Sequence, residues 1–290
     1  MWSSRPVRHI AAPSEMPPLR DWWEYPDAAL FSLQLSRREK AVLRSLERLP
    51  HPNVVQAIAY EDEGIYLRRC LPLNRAEGYP RQGVRVQWYR DVLRGLGHLH
   101  HQGICHSDLR PDNILFSDHR DAQAVLCDFS KASRFGEPND TPHSATPVPP
   151  TGMAKTASDA TDRFAMAYLI FEMETGAKPG LTTSSEGQLS VPHLSLGNHI
   201  LEAMVRKAWS GHYRTTSNML ADAEGMIDHE DDGTIEARNP APPQDTLREQ
   251  VRQWRQGRLS KHGLVLNGLI TDGDELDRLA GLCRWEGKWW

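Results

Sequence analysis

Apolar residues recur at helical spacing in several stretches of the chain. The clearest pattern predicts a helix over residues 84–101, whose apolar face carries Val86, Tyr89, Val92, Leu93, Leu96 and Leu99. A mostly apolar run over 162–175 predicts a helix that is buried on all sides. Further patterns predict helices over 36–49, 196–209, 215–227, 245–259 and 273–284. The chain is therefore expected to be rich in helix.

Strand patterns lie in two places between these helices. Residues 54–60 and 65–71 indicate two strands joined at the turn Glu61-Asp62-Glu63-Gly64. Apolar residues at 114–116 and 125–127 frame a second hairpin. The segment 131–160 is rich in Pro, Ser, Thr and Gly, which predicts a long loop of the kind that is usually functional or disordered.

The composition excludes some classes of protein. The 290 residues are 39% hydrophobic and 25% charged, as expected for a globular protein with a sizeable core. A net charge of −4 argues against a nucleic-acid partner, and the apolar runs are too short to span a membrane. Four cysteines without paired spacing indicate free thiols in a reducing compartment. The cytoplasm is the expected location, with the nucleus as an open alternative.

The strongest chemical signal is a motif around the second hairpin. The stretch from His106 to Phe116 reads HSDLRPDNILF, and the hairpin is followed by DFS, which begins at Asp128. An aspartate, an asparagine and a second aspartate occur here in the order Asp108, Asn113, Asp128. Transfer of a phosphoryl group from ATP needs an oriented hydroxyl and Mg²⁺ held against the phosphates. These side chains supply both requirements.

The motif resembles the catalytic loop and metal-binding motif of eukaryotic protein kinases, H-R-D-L-x-x-x-x-N and D-F-G. The resemblance implies that Asp108 is the catalytic base and that Asn113 and Asp128 hold Mg²⁺. Arg110 occupies the position of a lysine that meets the transferred phosphate in serine/threonine-type kinases. Pro111 also favours that type over the tyrosine type.

The resemblance extends over roughly residues 36–227. Segments similar to kinase helices are 39–43 with 51–55 (αC and its exit), 96–104 (the end of αE), 162–176 (αF) and 207–214 (the late C-lobe). The implied fold is α+β and two-lobed, with a reduced, mostly β N-lobe plus αC and a mainly α-helical C-lobe. The expected domains are an irregular segment 1–35, a kinase-like domain 36–228 and a linker with a helical tail 229–290. Within the domain, the N-lobe remnant would cover about 36–72 and the C-lobe about 73–228.

The resemblance also implies roles for further residues. Nucleotide contacts would come from Leu67, Arg69, Cys70, Asn113, Leu115 and Asp128. Structural roles would fall to Glu39, His106, Phe129, Asp162 and Arg214, with Asp162 holding the backbone of the catalytic loop. ATP and Mg²⁺ are the implied cofactors, provided that the site is competent. The implied partner is a protein, either substrate or binding partner, and neither nucleic acid nor membrane is expected.

The N-terminal part departs from the kinase pattern. The chain has no glycine before Gly64, so it cannot form the Gly-rich loop that covers the ATP phosphates. It has no lysine before Lys40, which lies inside the predicted αC helix, so the β3 lysine is also missing. Arg20 is at a plausible distance to substitute for that lysine, but its proline-rich setting is not typical of a strand. The αC glutamate, Glu39, would then lack its usual lysine partner.

Three departures in the C-lobe are milder. Ser107 replaces the arginine beside the catalytic aspartate, so capture of a phosphorylated activation loop is not expected. Ser130 replaces the glycine of D-F-G, which should restrict flipping of Asp128. Pro150 aligns with the glutamate that normally pairs with the arginine matched by Arg214.

Several interpretations therefore remain open. The chain could be a divergent serine/threonine-type kinase, a pseudokinase that acts as a protein-interaction scaffold, or an N-terminally truncated kinase whose N-lobe starts upstream. A small-molecule phosphotransferase is a more distant alternative. The dense group His98, His100, His101, Cys105 and His106 lacks typical zinc-ligand spacing. Trp88 is expected in the core, the tryptophans of the tails are expected to anchor those tails, and the basic face of 245–259 is expected to be solvated.

Overall fold

The computed structural model describes residues 24–61, 64–73, 80–117, 123–139, 147–148, 152–153, 155–183, 189–226 and 242–262. Its α-helices are α1 (Glu24–Leu46), α2 (Gln82–His101), α3 (Asp159–Thr175), α4 (His199–Trp209), α5 (Thr216–Glu224) and α6 (Gln244–His262). Its strands are β1 (Ala57–Glu61), β2 (Gly64–Leu67), β3 (Leu71–Pro72), β4 (Ile104–Cys105), β5 (Ile114–Phe116), β6 (Ala124–Leu126), β7 (Ser133–Arg134), β8 (Pro147–Val148), β9 (Gly152–Met153), β10 (Thr182–Thr183) and β11 (Leu189–Ser190). The named strands pair antiparallel, as β1-β2, β3-β5-β6, β4-β7, β8-β9 and β10-β11. Helices with small antiparallel sheets make this an α+β fold, as predicted.

The chain divides into two compact units. The first unit contains α1, β1, β2 and α6, and the second contains Leu49–Val55 and the elements from β3 to α5. In the first unit, Leu247 and Val251 of α6 form a buried cluster with Ile58 of β1. The Arg248 guanidinium donates to the Ile58 backbone oxygen over 3.2 Å. Helix α6, expected in a linker and tail after residue 228, is therefore part of the unit that contains the β1-β2 hairpin.

The boundaries of α1 differ from the prediction. The helix begins at Glu24, inside the segment expected to be irregular, and ends at Leu46. Leu43 and Leu46 are buried as the periodicity predicted, but Leu49 is 60% exposed beyond the end of the helix. Pro50 and Pro52 cannot donate the backbone N–H bonds of a continuing helix, so the chain leaves the helix before them.

The predicted strand 54–60 is split between the two units. Its second half forms β1, which pairs with β2. Val54 instead forms a parallel bridge with Leu126, and the Val55 N–H donates to the Leu126 oxygen over 2.9 Å. Val54 and Val55 are 4% and 3% exposed, so their apolar side chains are buried in the second unit rather than in the hairpin. Apolar character alone could not distinguish the two environments.

Helix α2 is central to the core of the second unit. The apolar face predicted for this helix is confirmed, since Val86, Tyr89, Val92, Leu93, Leu96 and Leu99 are all buried. Trp88 is also buried, as expected, and its ring lies 4.3 Å from that of Phe116. This arrangement places β5, the strand that follows the catalytic loop, against the helix.

Helix α3 begins earlier than predicted because of its N-cap. Ser158 and Thr161 form a capping box, so the helix starts at Asp159 rather than at 162, and Gly176 ends it in a left-handed conformation. Near its C-terminal end, the Glu174 side chain is 1% exposed and accepts hydrogen bonds from Arg85 (2.8 Å) and Tyr89 (2.5 Å) of α2. These bonds fix α2 against α3.

Caps also set the starts of the following helices. The Asn198 side chain accepts from two backbone N–H groups at the start of α4, and the Thr215 side chain caps α5. Consequently α4 begins at His199 instead of 196. Helix α5 begins at Thr216 and ends at Glu224 instead of 227. The helix predicted over 273–284 and the tryptophans of both tails lie outside the described residues.

Candidate active site

The β5-β6 hairpin brings the two halves of the motif together. Ile114 of β5 pairs with Leu126 of β6 in the antiparallel register. Asn113 directly precedes β5 and Cys127 directly follows β6, so the chain enters and leaves the hairpin at the same end. The Cys127 N–H donates to the Asn113 backbone oxygen over 3.0 Å. The segment that contains Asp128 therefore starts beside the end of the catalytic loop.

Asp108 and Asn113 are joined directly within the catalytic loop. The Asn113 amide donates from Nδ2 to the Asp108 backbone oxygen over 2.8 Å and to carboxylate Oδ2 over 3.1 Å. One turn of 3-10 helix, Pro111–Asn113, closes the loop and brings the amide back to Asp108. Asn113 is 3% exposed. Because Nδ2 is committed to Asp108, Oδ1 is the atom that Asn113 offers to a cation.

The buried carboxylate of Asp162, on α3, holds the start of the loop. It accepts from the backbone N–H groups of His106 (2.7 Å) and Ser107 (3.0 Å), and His100 Nε2 lies 2.9 Å from its Oδ2. Ser107 has a φ of 60°, a left-handed conformation that is unfavourable for serine and that these bonds stabilise. Burial alone would raise the pKa of Asp162, but the hydrogen bonds from His100 and the His106 backbone outweigh it and lower the pKa.

His106 and Phe129 connect the loop to the segment after the hairpin. His106 Nε2 lies 3.1 Å from the Cys127 oxygen, so Nε2 carries the proton. The Asp108 N–H then donates to His106 Nδ1 over 3.3 Å. Phe129 is fully buried, and its ring centroid lies 5.3 Å from that of His106. These contacts suit the structural roles that the resemblance implied for both residues.

Asp128 has a left-handed backbone with a φ of 67°. The Ser130 hydroxyl donates to Asp128 Oδ1 over 2.7 Å, and the Ser130 N–H lies 3.3 Å from the same oxygen. The serine that replaces the motif glycine therefore orients the carboxylate, and these bonds add a physical reason for the restricted flipping predicted from the sequence. A carboxylate and an amide oxygen are the hard ligands that Mg²⁺ prefers, so Asp128 and Asn113 fit the implied metal.

One charged residue beside Asp108 was not predicted from the sequence. Lys131 Nζ lies 3.3 Å from Asp108 Oδ1, and the two side chains are 22% and 13% exposed. Arg110, predicted beside the transferred phosphate, instead pairs with Asp112 over 2.6 Å, with both side chains about half exposed. The only available signal for Lys131 was a cation directly after the metal-binding motif.

A neutral contact lies at the position where kinases usually carry an arginine. The hydroxyl oxygens of Ser107 and Ser133 are 2.9 Å apart, and Ser133 belongs to β7, which pairs with β4. Ser107 and Ser133 therefore add an uncharged contact between the catalytic loop and the segment after Asp128, beside the ion pair of Lys131 with Asp108.

The other predicted nucleotide contacts are spread over both units. Cys70 directly precedes β3, whose Pro72 lies opposite Leu115 of β5, so the fold brings these two sites near each other in the second unit. Arg69, in the same unit, is exposed. Leu67 ends β2 in the first unit.

The remaining structural candidates belong to different units. Glu39 lies half-buried on α1 in the first unit, whereas Arg214 is exposed just before α5 in the second. Arg20 and Pro150, which entered the sequence argument, lie outside the described residues.

The histidines near the end of α2 contact other side chains. The rings of His98 and His51 stack with centroids 4.8 Å apart, and His100 Nδ1 lies 2.7 Å from the Thr216 hydroxyl. Within the described ranges, no three His, Cys, Asp or Glu side chains converge as metal ligands. In the same part of the chain, no helix is both long and apolar enough to cross a membrane.

Comparisons with curated proteins find several protein kinases. L-type lectin-domain containing receptor kinase V.9 of Arabidopsis thaliana is 29% identical over 181 residues, which cover 53% of this chain and 26% of the relative. Protein kinase gsk3 of Schizosaccharomyces pombe is 32% identical over 127 residues, 37% of this chain and 33% of the relative. Serine/threonine-protein kinase AtPK2/AtPK19 of Arabidopsis thaliana is 25% identical over 189 residues, 56% of this chain and 39% of the relative. The matches thus span well under half of each relative.

Solved structures and a family model complete the comparison. The crystal structure of the Rad53 kinase domain and SCD2 is 20% identical with a TM-score of 0.48, covering 62% of this chain and 72% of that chain. The model of the protein kinase domain matches residues 31–228. Since this match includes more than half of the chain and contains the whole motif, the chain belongs to the protein kinase family.

Proposed function

We propose that this protein transfers the γ-phosphoryl group of ATP to serine or threonine hydroxyls of a protein substrate. The observation that carries the proposal is the hydrogen-bonded pair of Asp108 and Asn113, which Cys127 links to the segment of Asp128. Family membership supports the reaction class. The Pro111 turn and the basic residue Arg110 support the serine/threonine type.

Each residue has a defined part in this reaction. Asp108 accepts the proton of the attacking hydroxyl while the hydroxyl oxygen bonds to the γ-phosphorus. The bond from that phosphorus to the bridging oxygen breaks, and ADP leaves. Asn113 and Asp128 would hold Mg²⁺, which supplies positive charge to the phosphates. Asp162 keeps the loop, and with it Asp108, in a fixed position.

A pseudokinase that binds protein partners is the second candidate. The observation that favours it is the position of Lys40, the first lysine of the chain. Its Nζ lies 3.4 Å from the Glu61 backbone oxygen, within the first unit. A lysine committed to that carbonyl does not replace the β3 lysine. One ion pair at 4 Å contributes about 4 kcal/mol at an effective dielectric constant of 20, so its loss would slow transfer by on the order of a thousandfold.

Thermal unfolding with and without Mg-ATP tests whether the site is competent. A ligand at a hundredfold excess over its Kd stabilises the folded state by about 2.7 kcal/mol. For a chain of this size, that raises Tm by roughly 5–10 °C. Asp128→Ala should abolish the part of the shift that requires Mg²⁺, since it removes a carboxylate ligand. Asp245→Ala, which changes an exposed carboxylate on α6, is the matched control and should keep the full shift.

Three outcomes separate the candidates. Absence of any shift at millimolar Mg-ATP would contradict the kinase proposal. A shift that Asp128→Ala leaves intact would place the nucleotide elsewhere. If Mg-ATP binds, transfer of ³²P to protein hydroxyls by the wild type but not by Asp108→Asn supports the enzyme, whereas binding without transfer supports the pseudokinase.

A further inference from the structure

Lys131 lies beside the proposed catalytic base. The two carboxylate oxygens of Asp108 have different partners: Oδ2 accepts from the Asn113 amide, and Oδ1 lies 3.3 Å from Lys131 Nζ. Both side chains of the ion pair are largely buried, at 22% and 13% exposure, so solvent screens the lysine charge less than at an open surface. The ammonium group therefore lies beside the carboxylate that, in the proposed function, accepts the proton of the substrate hydroxyl.

Two basic side chains that the sequence brought into question for the phosphates, Arg110 and Lys40, contact other groups. Arg110 is turned to Asp112, where the pair is 47% and 58% exposed. Lys40 contacts the Glu61 backbone oxygen in the first unit. The transition state of phosphoryl transfer carries negative charge on the transferred group, and it needs a positioned cation in addition to Mg²⁺.

We propose that Lys131 is the cation that contacts the transferred phosphoryl group. It would take the role that the family pattern gives to the residue at position 110. This inference rests on the proposed kinase function. In the absence of nucleotide, Lys131 balances the charge of Asp108. When the γ-phosphate is bound, the flexible lysine stem lets Nζ reach a phosphate oxygen and release Asp108 Oδ1 for the substrate hydroxyl.

Comparing Mg-ATP with Mg-ADP tests the role of Lys131, because only ATP has the γ-phosphate. Isothermal titration gives both dissociation constants for the wild type and for Lys131→Met, which keeps a long side chain without its charge. We expect Lys131→Met to weaken Mg-ATP binding by about tenfold or more and Mg-ADP binding by less than about twofold, the effect of one charged hydrogen bond. Lys131→Arg should restore most of the preference for ATP.

Lys207→Met is the matched control, because Lys207 also pairs with an aspartate, Asp222, over 2.7 Å. This variant should leave the preference for Mg-ATP over Mg-ADP, measured as the ratio of the two dissociation constants, unchanged. If Lys131→Met also leaves that preference unchanged, the role of Lys131 alone is overturned. The same follows if Arg110→Met, rather than Lys131→Met, reduces the preference. A wild type that binds neither nucleotide would overturn both this role and the proposed function.

Discussion

At the scale of single residues, Asp162 shows how one buried carboxylate can set the shape of a catalytic loop. Its side chain is 1% exposed and accepts hydrogen bonds from two consecutive backbone N–H groups, while His100 lies against the same carboxylate. Such a group is stable as an anion only because these donors compensate for burial. The left-handed Ser107 and the position of Asp108 both depend on this anchor.

Asp162→Asn should lower the free energy of unfolding by about 3 kcal/mol at neutral pH, because an amide cannot accept both backbone N–H bonds in the same way. The pKa of Asp162 is lower in the folded protein than in the unfolded chain. Its contribution is complete above the unfolded pKa of about 3.9 and is lost as the pH falls through the folded-state pKa. Urea unfolding measured from pH 7 downwards checks this, and the advantage of the wild type should shrink below about pH 4.

The control is Asp245→Asn, at a side chain that is 95% exposed, and it should change stability by less than about 0.5 kcal/mol. An advantage of the wild type that stays constant to the lowest pH at which the protein folds would contradict the role given to the Asp162 anion.

At the scale of elements, the contact of α2 with its neighbours is unusually close at one glycine. A Cβ added to Gly95 would lie 2.8 Å from the Asn53 backbone oxygen and 2.8 Å from Leu126 Cδ1. Gly97, on the same helix, would have no atom within 4 Å of an added Cβ. The absence of a side chain at Gly95 therefore allows α2 to approach β6, the strand that leads to Asp128.

Gly95→Ala should destabilise the protein by about 1–3 kcal/mol, since the backbone of Asn53 must move to admit the methyl group. Gly97→Ala should be neutral or stabilise by up to about 1 kcal/mol, because alanine is the better helix former. Denaturant unfolding of the two variants checks the difference between them. Equal effects at the two glycines would show that the close approach at Gly95 does not limit packing.

At the scale of the whole molecule, the chain places helix α6 in the same unit as the β1-β2 hairpin, which lies far from it in sequence. Val251 is 3% exposed in the cluster with Leu247 and Ile58, and Tyr66 and Trp254 have ring centroids 5.8 Å apart. Arg255 pairs with Glu61 over 2.6 Å. A two-stranded hairpin is marginal in water by itself, so the apolar surface of α6 contributes to its stability. Arg248 and Arg255 belong to the basic face that was expected to be solvated. Both instead contact strand β1, Arg248 at the Ile58 backbone oxygen and Arg255 at the Glu61 carboxylate.

Val251→Asp should lower the local stability of the hairpin by on the order of 3 kcal/mol, because it buries an unpaired charge. Hydrogen exchange measured by mass spectrometry should show faster exchange of β1 and β2, with β5 and β6 unchanged. Gln250→Asp, at an exposed position of the same helix, is the control and should leave the exchange unaltered. Unchanged protection of β1 in Val251→Asp would mean that α6 does not support the hairpin.

The sequence alone determined where the main helices lie, though not their exact ends, and it determined the chemical groups of the motif. The apolar face of α2 follows from the period of an amphipathic helix, and the nearly continuous apolar run of α3 is typical of a buried helix. Asp108, Asn113 and Asp128 could be identified because the catalytic loop is contiguous and a short hairpin separates it from the second aspartate. The given sequence also has no glycine before Gly64 and no lysine before Lys40. The local patterns supported the kinase resemblance that the family match confirms.

Only the tertiary structure decided which distant residues meet. Lys131 pairs with Asp108, Val54 joins β6 instead of β1, and α6 packs on a hairpin from the other end of the chain. None of these contacts leaves a periodic signal, since each depends on how separate elements pack and on which charge lies within reach once they do. The motif therefore indicated the candidate base and metal ligands, while the fold placed Lys131, rather than Arg110, beside Asp108.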